Sequence, residues 1–283
     1  NVIVEDNIAP IIVAQDITVQ LDELGTATTT AESIDNGSTD NCSIATMTID
    51  KDTFTCDDIG ENNVTLTVTD VNGNSSTATV VITIEDIVKP TALTQDITVQ
   101  LDADGLASIT AAQIDNGSTD NCEIASMEID ITTFDCTNLG PNTVTLTVTD
   151  VNGNSSTATV VITIEDIVKP TALTQDITVQ LDADGLASIT AAQIDNGSTD
   201  NCSIATMTID KDAFNCESLG GNTVTLTVTD LSGNSTTATT IITVEDNISP
   251  QVVTKDVVIT LDQTGTISVT AEEFIDESYD NCS

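Results

Sequence analysis

In NTVTLTVTD (142–150), Val144, Leu146 and Val148 alternate with Thr143, Thr145, Thr147 and Thr149. A period of two puts the apolar set on one face and the threonines on the other, which predicts a half-buried β-strand. STATVVITIED (156–166), DITVQLD (96–102) and GLASITAAQI (105–114) predict further strands, the last with a brief helical turn at AAQI. EIASMEID (123–130) and TTFDC (132–136) carry the alternation less regularly. Turn-forming clusters separate these runs: DADG at 102–105, DNGSTDN at 115–121, NLGPN at 138–142 and VNGN at 151–154. No stretch carries a long helical period.

The same pattern returns every 80 residues. Asp6, Asp86, Asp166 and Asp246 mark the period, and residues 64–122 are identical to 144–202. Eighty residues exceed the roughly 20–50 of a solenoid repeat, so each unit is expected to hold its own core. Six or seven short strands per unit predict an all-β chain of tandem immunoglobulin-like antiparallel β-sandwich repeats, forming an extended rod. The expected boundaries are 1–5 (tail of a preceding repeat), 6–85, 86–165, 166–245, and 246–283 as the first half of a fourth repeat. The opening NVIVEDN matches later repeat boundaries, so the chain reads as a window from a longer protein. Antibody-type domains differ in having a core Trp, absent here, and cysteines at long spacing.

Charge narrows the function. There are 46 acids against 5 lysines, no Arg and no His, for a formal charge of −41. Nothing here replaces counterions on a nucleic acid, and an anionic membrane repels the chain. High charge with few aromatics can signal disorder, but 39% hydrophobic residues in alternating runs are enough to build cores. No apolar run reaches the ~18 residues of a membrane span.

The cysteines repeat in register as Cys42 and Cys56, Cys122 and Cys136, and Cys202 and Cys216, each pair 14 apart, with Cys282 left over. Pairing within repeats is the expectation, with Cys282 unpaired. Such a bridge stabilises by roughly 3 kcal/mol on the chain-entropy model. Zinc usually needs four Cys or His per site, and one unit offers two Cys and no His. Disulfides imply an oxidising, extracellular compartment.

The acids cluster in motifs. Following the predicted strands, DNGSTDN and DVNGN fall at the N-terminal end of a unit beside its Glu-Asp pair, and the DADG turn faces the next junction. The candidate ligands are Glu5, ending the tail of the preceding repeat, with Asp6, Asp35, Asp40, Asp70, Asn72 and Asn74 of the first repeat. At the next boundary Glu85 joins Asp86, Asp115, Asp120, Asp150, Asn152 and Asn154 of the second repeat. Glu165 then joins Asp166, Asp195, Asp200, Asp230 and Asn234 of the third, and Glu245 joins Asp246 of the fourth. Hard oxygen donors gathered from several loops suit Ca²⁺, which takes six to eight oxygens in flexible geometry. Asp, Asn, Gly and Ser are also ordinary turn formers, and any one of these motifs alone reads as well as a turn. Their convergence at one end favours calcium.

As a set, LDADG, IDNGSTDNC, LG before TVTLTVTD, DVNGN and an ED pair ahead of Pro resemble the HYR-like, Ig-fold repeats of Bacteroidota gliding-motility adhesins and related secreted adhesins. The resemblance covers the whole chain. It implies export by type IX secretion and display as an outer-membrane-attached filament. Many repeats of that family carry a further cysteine in the last strand; Ala78, Ala158 and Ala238 lie in that region here.

The expected role is a structural stalk, stiffened by disulfides and by calcium at the junctions, with neighbouring repeats of the same chain as its partners. A surface polysaccharide or an adhesin-track protein is the candidate external partner. The alternative is direct, multivalent binding of a glycan or protein by the repeats. Against it, glycan sites usually use aromatic platforms, and the chain has one Tyr and four Phe. Without His or Arg, and with no aromatic-lined cleft in prospect, the expectation is no enzyme activity. No lysine is present in every repeat, so a required Lys–Asn cross-link is not expected.

Overall fold

Along Gly60–Asp70, Val64, Leu66 and Val68 alternate with threonines, and the backbone forms an 11-residue strand that buries this apolar set completely. The computed structural model describes residues Asn1–Cys282. In the first repeat the elements are β1 (Ile17–Gln20), β2 (Thr26–Thr28), α1 (Ala31–Ile34), β3 (Ile44–Ile49), β4 (Thr53–Thr55), β5 (Gly60–Asp70) and β6 (Ser75–Glu85). A 3-10 turn over Cys56–Asp58 separates β4 from β5. The described residues form two compact units, residues 1–98, 108–133 and 140–163, and residues 99–107, 134–139 and 164–282.

Within the first unit, a four-stranded sheet in the order β1-β6-β5-β3 faces a second layer in which β2 pairs with β4. Bridges between Ile11 and Thr39 and between Ala14 and Asp35 extend that layer. Leu21, Ile34, Phe54, Val64, Leu66, Val68, Ile82 and Ile84 fill the space between, each at most 3% exposed. Burial of an aliphatic or aromatic side chain of this size stabilises by about 1.5–3 kcal/mol. In the second unit the strands Ile177–Gln180, Ser235–Glu245, Gly220–Asp230 and Ile204–Ile209 repeat the four-stranded order. Leu186–Ser188 pairs with Ala213–Asn215 as its counterpart of the second layer. The chain is therefore all-β, built from tandem sandwich repeats.

Two details differ from the expected strands. β1 pairs with β6 in parallel, Ile17 opposite Ile82 through Gln20 opposite Glu85, whereas an antiparallel sandwich was expected. The first strand leaves the N-terminal end of a repeat and the last runs to its C-terminal end, so the two point the same way. In GLASITAAQI the strand is shorter than expected, Leu106–Ser108 alone, while Ala111–Ile114 forms the expected helical turn. The Gln113 side chain accepts the backbone N–H of Thr110 at 2.8 Å, a cap that ends the extended run.

The cysteines join different repeats. Cys56 bonds Cys122, Cys136 bonds Cys202 and Cys216 bonds Cys282, each across 66 residues. This corrects the expected pairings Cys42–Cys56, Cys122–Cys136 and Cys202–Cys216, and the expected unpaired Cys282. Cys42 is the free thiol among the described residues. The cause is the strand lying between the two cysteines of one repeat. Six residues of β3 carry the chain roughly 20 Å, whereas a disulfide tolerates Cα separations only up to about 7 Å. The bridged pairs have Cα separations of 5.2–5.6 Å.

The close approach also dictates a glycine. Gly25 ends the Asp22–Gly25 turn at φ +70°, and a Cβ there would lie 2.7 Å from the Asn121 carbonyl oxygen and 2.8 Å from Cys56 Sγ. Gly105 stands in the same relation to Asn201 and Cys136, and Gly185 to Asn281 and Cys216. The turn of one repeat thus packs onto the Asp-Asn-Cys segment of the next.

Candidate metal centre

The hairpin loop after the first long strand of each repeat folds around an aspartate. Asp150 Oδ1 accepts the backbone N–H groups of Asn152 and Asn154, at 2.9 and 2.8 Å, and its Oδ2 accepts Asn154 Nδ2. The same Nδ2 donates to the Asp86 carbonyl oxygen at 3.1 Å. Asn154 therefore fixes the loop against the Glu85-Asp86 boundary, and Asp150 is 2% exposed there.

Asp86 and Asp120 complete the group. Asp86 Oδ1 accepts Val88 N–H and Asn121 Nδ2, and Asp120 Oδ2 accepts Cys122 N–H at 3.0 Å. Oxygens of Asp86, Asp120 and Asp150 lie within 4.8 Å of one another. Asp86 Oδ2, Asp120 Oδ1 and Asn121 Oδ1 are buried and accept no hydrogen bond. An orphaned buried acceptor costs about 1–3 kcal/mol, and more when charged. At an effective dielectric constant of about 20, two unit charges 4.8 Å apart repel by roughly 3 kcal/mol. Among the described residues no lysine pairs with these carboxylates; the ion pair Lys51–Asp58 lies elsewhere. The group gathers negative charge with no side-chain cation among the described residues to offset it.

Asn121 ties this site to the preceding repeat. Its Nδ2 donates to the Asp22 carbonyl oxygen at 3.1 Å and to Asp86 Oδ1 at 3.2 Å, leaving Oδ1 free. Its main-chain oxygen lies 3.6 Å from Cys56 Sγ of the Cys56–Cys122 bridge. A cleft of about 340 Å³, lined by Glu23, Lys89, Thr119, Asp120 and Asn121 among others, gives solvent access beside the group.

The arrangement recurs in the second unit. Asp166, Asp200 and Asp230 group within the same distance, with Asp166 Oδ2, Asp200 Oδ1 and Asn201 Oδ1 orphaned. Asn234 Nδ2 reaches Asp230 Oδ2 and the Asp166 carbonyl, and Asn201 Nδ2 reaches the Asp102 carbonyl. In the first repeat Asp6 and Asp40 group with Cys42, and Asn74 joins Asp70 to the Asp6 carbonyl. There Asp6, through its hydrogen bond and its charge, holds the Cys42 thiol pKa above the ordinary value, with Asp40 and Asp70 adding to it. Asp246 accepts Ile248 N–H and Asn281 Nδ2.

Other candidates lie apart from these groups. Asp35, Asp115 and Asp195 cap their own loops, Asp115 accepting Gly117 N–H, Ser118 N–H and the Ser118 hydroxyl. The Ser118 hydroxyl holds the Asp115 carboxyl below the usual aspartate range, helped by the Ser118 and Gly117 amides; Ser198 does the same for Asp195. Glu5, Glu85, Glu165 and Glu245 are exposed. Asn72 and Asn152 meet the aspartate only through their backbone N–H. Asn121 and Asn201 were not among the sequence candidates. Their signal is the unvarying Asn of Asp-Asn-Cys, present even in the degraded DESYDNC.

No protein-family model matches the chain, and no curated protein matches it. Among solved structures it is similar to the titin I-band fragment I67–I69, at 10% identity and a TM-score of 0.41, covering 85% of this chain and all of that one. Mouse cadherin-23 EC22–24 gives 13% identity, a TM-score of 0.36, and coverage of 84% and 99%. Protocadherin gamma B7 extracellular cadherin domains 1–4 give 13%, 0.31, and 88% and 79%. The fold assignment rests on the strand order described above.

Proposed function

We propose that the chain is a stalk segment of a long secreted surface adhesin, in which a disulfide and a calcium ion join neighbouring repeats. One observation carries this reading. Beside each of the bridges Cys56–Cys122 and Cys136–Cys202 stand three grouped carboxylates and an asparagine with orphaned buried oxygens. The all-oxygen donor set fits Ca²⁺ rather than a thiol- or imidazole-seeking metal. Asp86, Asp120, Asp150 and Asn121 would hold one ion, and Asp166, Asp200, Asp230 and Asn201 another. When bound, calcium offsets the repulsion within each group and satisfies the orphaned oxygens. The bridges suit an oxidising, extracellular setting. No helix among the described residues is long and apolar enough to cross a membrane. A surface polysaccharide or adhesin-track protein is the external partner that a filament of this kind would meet.

The test is thermal unfolding of the oxidised chain with calcium, with magnesium and with chelator. Ligand that binds only the folded state raises the melting temperature by mass action. The expected result is a saturable rise with calcium, far smaller with magnesium, and abolished in the double variant Asp150→Asn/Asp230→Asn. Identical curves with calcium and chelator would remove calcium from the account.

A further inference from the structure

We infer that the three bridges make the chain a tether of bounded length, in which tension bypasses most of the second and third repeats. The inference takes from the stalk reading only the presence of tension. It depends on neither calcium nor the cargo of the stalk.

The covalent path shows why. From the N-terminus it runs to Cys56, crosses to Cys122, continues to Cys136, crosses to Cys202, continues to Cys216 and crosses to Cys282. Residues 57–121, 137–201 and 217–281 lie in closed loops beside this path. Each loop holds the two 11-residue strands of one repeat, Gly60–Asp70 and Ser75–Glu85 in the first. Those strands supply Val64, Leu66, Val68, Ile82 and Ile84 to the core. Pulling on the ends therefore loads neither strand of the long hairpin through the backbone.

Beyond the leading residues 1–56, what carries load is short: residues 122–136 in the second repeat and 202–216 in the third. In the third repeat this segment is held in both layers. Ile204–Ile209 pairs with Gly220–Asp230, and Ala213–Asn215 pairs with Leu186–Ser188, with Phe214 buried in the core. Tension runs along Ile204–Ile209 itself, whose ladder partner Gly220–Asp230 lies in the closed loop and is not pulled.

Each bridge replaces 66 residues of chain by a Cα separation of 5.2–5.6 Å. At ~3.4 Å per extended residue it withholds about 220 Å. Fully stretched, the bridged chain reaches roughly 300 Å, and the reduced chain roughly 950 Å, on the same spacing. Bridges within repeats, 14 residues apart, would each withhold only ~45 Å.

The experiment is single-molecule force extension of the chain held at its two ends, with Cys42→Ser to prevent exchange. The oxidised chain should stop near ~300 Å and lengthen to ~950 Å on reduction. The double variant Cys136→Ser/Cys202→Ser should add one increment of about 220 Å. Final length depends on the bonds alone, so a variant that folds poorly still reports it. An oxidised chain that extends well beyond ~300 Å, or an increment near ~45 Å, overturns the inference. Calcium bears on the force at which segments yield, not on the final length, so failure of the calcium joint is read separately.

Discussion

Alanine at position 25 would place a Cβ 2.7 Å from the carbonyl oxygen of Asn121 and 2.8 Å from Cys56 Sγ. Neither atom can move aside easily, since one is backbone and the other is bonded to Cys122. Two costs follow. At φ +70° an alanine loses about 1–2 kcal/mol relative to glycine. Overpacking against fixed neighbours adds about 1–3 kcal/mol. Gly117 separates the two, because it has φ +82° and nothing within 4 Å of a built Cβ. Gly117→Ala should therefore cost only the conformational part, about 1–2 kcal/mol, and Gly25→Ala about 2–5 kcal/mol. Urea unfolding of the oxidised variants measures both, provided the slope with denaturant is unchanged. Equal costs at the two positions would refute the packing of the Asp22–Gly25 turn onto the next repeat.

Three further outcomes are expected. Removing one bridge as Cys136→Ser/Cys202→Ser frees a loop of 66 residues and should lower stability by about 4 kcal/mol on the chain-entropy model, measured in denaturant. Asp115 and Asp195 have depressed pKa values in the folded chain, first through the Ser118 and Ser198 hydroxyls. Their contribution is thus fully present above the unfolded value of about 3.9 and is lost as pH falls through the lower folded values; acid titration of stability in Ser118→Ala/Ser198→Ala should show a shallower loss in that window. The raised pKa of Cys42, caused first by its hydrogen bond with Asp6, should move the pH–rate profile of its alkylation above that of a free thiol, and Asp6→Asn should move it back.

The long strands were legible because the burial of their apolar runs follows period two, Val64, Leu66 and Val68 inward and the intervening threonines on the other face. In GLASITAAQI the helical turn at AAQI was legible, but the alternation overstates the strand, which ends at Ser108 ahead of the cap that the Gln113 side chain makes on Thr110. The disulfide partners were not legible at all. In an 80-residue period a spacing of 14 within a repeat and of 66 between repeats are equally regular, so register cannot choose between them. Only the length of β3, lying between the two cysteines of one repeat, decides. The carboxylate groups were partly legible: strand directions bring the hairpin, the Asp-Asn-Cys loop and the repeat boundary to one end. Which oxygens stay unpaired is invisible in sequence, because Asp115 and Asp120 look alike until one is seen to cap its own loop.

A grouped carboxylate and a disulfide meet in one short segment. Asp120 contributes a carboxylate, Asn121 reaches back to the Asp22 turn, and Cys122 carries the bridge to Cys56. The most direct measurement is a crystal structure of the oxidised chain grown with calcium, with anomalous scattering to locate the ions. The account predicts one ion among Asp86, Asp120, Asn121 and Asp150 and another among Asp166, Asp200, Asn201 and Asp230, with oxygens at about 2.3–2.6 Å. At saturating calcium, no anomalous peak at these groups, or peaks confined to exposed acids such as Glu85 and Glu165, would contradict it.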